Sequence, residues 1–134
     1  MESISKSITI TVGEEMTART VKSGSLRVLA TPALIARMEE TACLCAAEVT
    51  QAGKTTVGTE ISVRHMAATP VGMQITVTAT LLRQEGKVLS FSLHAEDACG
   101  PIGEGTHTRV MVDAERFQQK ADSKGAASGG NQDH

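Results

Sequence analysis

Residues 31–50, "TPALIARMEETACLCAAEVT", carry apolar side chains at Ile35, Met38, Ala42, Cys45, Ala46 and Val49, the spacing of one face of a helix. Thr31 stands where an N-cap belongs and Pro32 at the first helical position, while Gly53 in "QAGK" offers a C-terminal stop. Alternating segments follow at 57–67, 73–84, 87–97 and 102–113, and a shorter one, 5–12, precedes the helix. Ile75, Val77, Ala79 and Leu81 oppose Gln74, Thr76, Thr78 and Thr80, and Leu89, Phe91, Leu93 and Ala95 form one apolar set, with "RQEGKV" turning around Gly86 between them. One strand, one helix and four meandering antiparallel strands predict an α+β domain: a sheet of about five strands wrapped around one central helix. A single helix covers only part of a sheet face, so an edge or face is expected to pair with a second copy of the chain.

Composition narrows the picture. The 134 residues, 40% hydrophobic, suit one domain over 1–117. From Gln118 the Gly-, Ser- and Ala-rich "QQKADSKGAASGGNQDH" has almost nothing to bury, so 118–134 reads as a disordered tail. A net charge of −2 and two aromatic residues, Phe91 and Phe117, argue against nucleic acid as a partner. No window approaches the roughly 18 apolar residues of a membrane helix and the N-terminus lacks a signal peptide's apolar centre, which predicts a cytoplasmic protein without a membrane partner. Cys43, Cys45 and Cys99 suggest neither a disulfide framework nor a metal site.

Three residues could carry chemistry. His65 ends an apolar alternation of Val57, Thr59, Ile61 and Val63, so it lies on the buried face. Its plain role would be a core histidine with both nitrogens satisfied by the backbone. Glu39 flanks the apolar face of the helix while Glu40 points away from it, so Glu39 is the semi-buried carboxylate. That group must be paired or shifted in pKa, either in a boundary salt bridge or in a working site. Thr31 is a cap, or a hydroxyl at a helix N-terminus where negative charge is stabilised. A hydroxyl, a carboxylate and an imidazole together would suit acyl transfer. Arg109 reads simply as a solvated strand residue.

"VLATPALIARMEETACLCAAE", "TTVGTEISVRHMAATPVGM" and "IGEGTHTRVMVDAERF" together resemble the fluoroacetyl-CoA thioesterase family, a branch of the hot-dog-fold thioesterases, over most of 24–117. The resemblance implies a hot-dog fold, a homodimer or larger homo-oligomer, and hydrolysis of a small acyl-CoA thioester at a site shared by two protomers. It makes Thr31, Glu39 and His65 the catalytic set. It carries Gly58 onto a glycine whose backbone lies beside the thioester, and Arg109 onto an arginine that contacts the coenzyme A portion of the substrate. No cofactor is implied, since coenzyme A belongs to the substrate. The fluoroacetyl-specific member has a long pre-helix segment with aromatic lid residues, whereas "KSGSLRVLATP" is short and has none, so strong fluoroacyl selectivity is not expected. Two other functions suit the same fold: a non-catalytic CoA-ester binder, and an enoyl-CoA hydratase, for which no aspartate stands in the required relation to His65.

Overall fold

The computed structural model describes residues 4–129. Strand β1 (Ser5–Thr11) leads through a 3-10 turn (Glu14–Met16) and the short helix α1 (Ala18–Val21) to the central helix α2 (Thr31–Ala47). Strands β2 (Lys54–His65), β3 (Gln74–Glu85), β4 (Val88–Asp97) and β5 (Gly100–Asp113) and the helix α3 (Ala114–Gly129) follow. The five strands form one antiparallel sheet in the order β1-β3-β4-β5-β2. This is the hot-dog arrangement of a sheet around one helix.

Only β3, β4 and β5 meander. Strand β2 pairs with β5 rather than β3, and therefore forms an edge. Alternation marks which residues are strands but not which strands pair, so the expected four-strand meander is corrected here. The connection from β2 to β3 runs past the N-terminal end of α2, where Leu29 N–H donates to Thr69 O (2.9 Å) and Ala30 N–H to Met16 O (2.8 Å). Thr69, fully buried, donates its hydroxyl to Asp97 Oδ2 (2.8 Å) and anchors that crossing.

Helix α2 buries Leu34, Met38, Thr41, Ala42, Cys45 and Ala46. They face a sheet surface that includes Val77, Ala79, Leu89, Phe91, Leu93 and Ala95, all buried. At roughly 1.5–3 kcal/mol for each large apolar side chain, this layer is the main source of stability. Gly103 lets the helix approach, since a Cβ there would lie 3.0 Å from Leu34 Cδ2 and 3.3 Å from Met38 Cε. Gly105 meets the neighbouring β2 backbone at Ser62 O, where a side chain has no room.

Two helix-end expectations are revised. The N-cap of α2 is Ala30, and its side chain makes no capping bond; Thr31 is the first helical residue. Gly53 does not stop the helix, which ends at Ala47, but turns the chain into β2 with φ +83°. The tail is also corrected as far as Gly129. Asp113 Oδ1 accepts from Arg116 N–H (2.9 Å) at the start of α3, and the Ala, Gln, Lys and Glu residues that follow are good helix formers. Side chains 114–127 are all exposed, so no apolar periodicity marked this helix in the sequence. Residues 130–134 lie outside the described residues.

Candidate active site

A bulge in β2 sets the geometry of the site. Gly58 pairs with Arg109 and Glu60 with Thr108, leaving Thr59 as the extra residue. The alternation that placed Val57 and Thr59 on one face with His65 is therefore broken. Beyond the bulge Ile61, Val63 and His65 pair with His107, Gly105 and Gly103; before it, Gly58 pairs with Arg109. All of these share the helix-facing side of the sheet with Leu89, Phe91, Leu93 and Ala95.

Thr31 and His65 meet at the N-terminal end of α2, with the hydroxyl 2.7 Å from His65 Nδ1. Freed from capping, the hydroxyl takes the imidazole instead. His65 Nε2 is buried and has no hydrogen-bond partner among the described residues, so this is not a core histidine satisfied at both nitrogens. Burial pushes its pKa below the ordinary histidine value, partly opposed by the Ala67 backbone, which leaves the ring neutral at pH 7. A cleft of about 280 Å³ opens beside the pair, lined chiefly by small and aliphatic residues including Ala18, Val28, Ala67, Ala68 and Met66.

Glu39 lies elsewhere in the same chain. It is eight residues along α2 from Thr31, about 12 Å of helix rise. Its surroundings are Gly58, His107 and Arg109: a Cβ built on Gly58 would lie 3.1 Å from Glu39 Oε2, 3.0 Å from His107 Cε1 and 3.2 Å from Arg109 Nη1. As the helical wheel predicts, Glu39 is half-buried while Glu40 is exposed and pairs with Arg37. Among the described residues Glu39 makes neither the expected boundary salt bridge nor a side-chain hydrogen bond.

Arg109 is only 7% exposed, which overturns its reading as a solvated residue. The guanidinium donates from Nε to Thr56 Oγ1 (2.9 Å) and from Nη2 to Thr56 O (3.0 Å), and Nη1 lies 3.1 Å from His107 Nε2. His107, 2% exposed, was not singled out from the sequence. The available signal was its parity with Arg109 and with Gly103 and Gly105, the glycines that let neighbouring elements close on β5. The chain thus holds two separate groups, a hydroxyl–imidazole pair and a carboxylate beside a buried guanidinium. Among the described residues no group of three or more His, Cys, Asp or Glu side chains could hold a metal ion, and no helix is long and apolar enough to cross a membrane.

Comparison with known proteins adds four findings. A family model described as fluoroacetyl-CoA-specific thioesterase matches residues 12–115. The fluoroacetyl-CoA thioesterase of Streptantibioticus cattleyicolor is 39% identical over 97 residues, 72% of this chain and 70% of that one. A solved fluoroacetyl-CoA thioesterase structure superposes with a TM-score of 0.87 at 32% identity, covering 92% of this chain and 97% of the other. A mutant of such an enzyme, in complex with fluoroacetate and CoA, superposes at 0.83 with 33% identity over 88% and 97% of the two chains.

Proposed function

The chain belongs to the fluoroacetyl-CoA thioesterase family, and from that premise we propose that it hydrolyses small acyl-CoA thioesters at a site completed by two protomers. The observation that carries this reading is the Thr31–His65 contact at 2.7 Å with a buried, unsatisfied Nε2 behind it. An imidazole that receives the Thr31 proton at Nδ1 carries its own proton on Nε2, and a buried N–H needs an acceptor. Glu39 is an acceptor without a partner among the described residues, but its own chain holds it two helical turns away.

Edge strand β2 offers the way to join them. If two copies pair antiparallel along β2 about an axis near Ser62, Ile61 faces Val63 of the other copy. The bulge then brings His65 of one protomer level with Gly58 of the other. Glu39, Gly58 and Arg109 of one protomer would face Thr31 and His65 of its partner, and both unsatisfied groups would be satisfied.

In this site Thr31 Oγ1 attacks the thioester carbonyl carbon and its proton passes to His65 Nδ1, while Glu39 of the other protomer holds the Nε2–H and stabilises the imidazolium. The N-terminus of α2 and the Arg109 guanidinium favour the negative charge that builds on the carbonyl oxygen. Collapse breaks the C–S bond, and His65 returns the proton to the CoA thiolate. Water, activated by the same imidazole, then releases the acid from Thr31. A soluble acyl-CoA substrate fits the expected cytoplasmic location.

The test is thiol release from a panel of acyl-CoAs. We expect hydrolysis of several short acyl groups and less than about a tenfold kcat/KM preference for fluoroacetyl over acetyl, under about 1.4 kcal/mol. The Thr31–His65 cleft has aliphatic and small walls and no aromatic lid, and small apolar differences yield only about 1–3 kcal/mol of discrimination. A preference of several hundredfold would refute this account of selectivity, and an inert protein the thioesterase itself. Gly58→Ala should lower kcat/KM at least about tenfold and cost about 1–3 kcal/mol of stability, because its methyl would press on His107, Glu39 and Arg109. Steady-state rates and thermal melts of the variant check both figures.

A further inference from the structure

His107 is absent from the chemistry just described, yet it is among the most completely buried polar residues of the sheet. Its ring contacts define its protonation. Nδ1 lies 2.8 Å from the Glu60 carbonyl oxygen, which only accepts, so Nδ1 must carry the hydrogen. Nε2 lies 3.1 Å from Arg109 Nη1, which only donates, so Nε2 must present its lone pair. Burial lowers the pKa of the ring, opposed in part by the Glu60 carbonyl, with lesser effects of the Arg109 charge, which lowers it, and the Glu39 charge, which raises it. Phe91 backs the ring with centroids 6.3 Å apart.

The guanidinium depends on this contact. Thr56 holds Nε and Nη2 from one side, and His107 Nε2 is the acceptor for Nη1 on the other. Nη1 is the nitrogen that lies against Gly58, beside Glu39 Oε2. No carboxylate lies within 4.0 Å of Arg109 among the described residues, so an ion pair does not fix it. We propose that His107, as the neutral Nδ1–H tautomer, is the positioning residue that aims Arg109 at the Glu39–Gly58 half of the site. The catalytic consequence rests on the thioesterase reading; the tautomer and the orientation of Arg109 do not.

Two amide substitutions separate this role from simple packing. In His107→Asn the amide nitrogen stands near the position of Nδ1 and can still donate to Glu60 O, but the acceptor for Arg109 is gone. In His107→Gln the amide oxygen reaches the Nε2 position and retains that acceptor. We expect His107→Asn to lower kcat for acyl-CoA hydrolysis at least about tenfold with KM changed less than about threefold, and His107→Gln to restore most of the loss. Equal losses in both variants, or none in either, would overturn the proposal. Long-range 1H–15N spectra of the wild-type protein supply an arm that needs neither substrate nor a folded variant, with His107 expected as the Nδ1–H tautomer. An Nε2–H tautomer would overturn the proposal even in an active enzyme. If the wild type cleaves no acyl-CoA, the thioesterase reading fails, while the tautomer still decides whether His107 presents an acceptor to Arg109.

Discussion

His65→Ala is expected to lower kcat for acyl-CoA hydrolysis by about 10²–10⁴-fold, the usual contribution of a positioned acid–base group. Folding should survive, because the ring is only half-buried and its Nε2 has no partner to lose among the described residues. The wild-type pH profile should agree. The working form is the neutral ring, which burial favours, so kcat/KM should fall on acidification as His65 takes a proton. A rate that does not fall on acidification, or a variant with wild-type turnover, would remove His65 from the mechanism.

Glu39→Gln should be nearly as damaging, roughly 10²–10⁴-fold in kcat, since the amide keeps the shape of the carboxylate but not the charge that stabilises an imidazolium. Glu40→Gln should change the rate less than about twofold, because it removes only an exposed pair with Arg37. Adjacent carboxylates on one helix thus make a strict control, with steady-state rates as the readout. Equal effects at the two positions would contradict the assignment of Glu39 to the site.

Much of this architecture is legible in the sequence, and the failures have physical causes. The periodicity of 31–50 identifies α2 and its buried face, and it separates Glu39 from Glu40 because helical phase is regular. Strand pairing order is not local information, so β2 could be recognised as a strand but not as an edge. The bulge at Thr59 breaks the two-residue period, and with it the assumption that Val57 and Thr59 face the same way as His65. On β5 the apolar residues mislead. Val110 and Val112 take the face away from α2, so Arg109 reads as a solvated residue when the sheet buries it beside His107. Thr31 before a proline suits a cap equally well, and only the position of His65 shows where its hydroxyl is used.

The two half-sites of one chain are expected to work only with those of a second. Mixing His65→Ala and Glu39→Gln protomers under conditions that exchange subunits tests this directly. In a mixed dimer one site joins His65 from the Glu39→Gln chain to Glu39 from the His65→Ala chain and is intact, while the other site carries both changes. Random mixing of two nearly inactive variants should therefore restore about a quarter of wild-type specific activity, since half of the dimers are mixed and each has one working site. A mixture no more active than its parents, with subunit exchange demonstrated, would contradict a site shared between protomers.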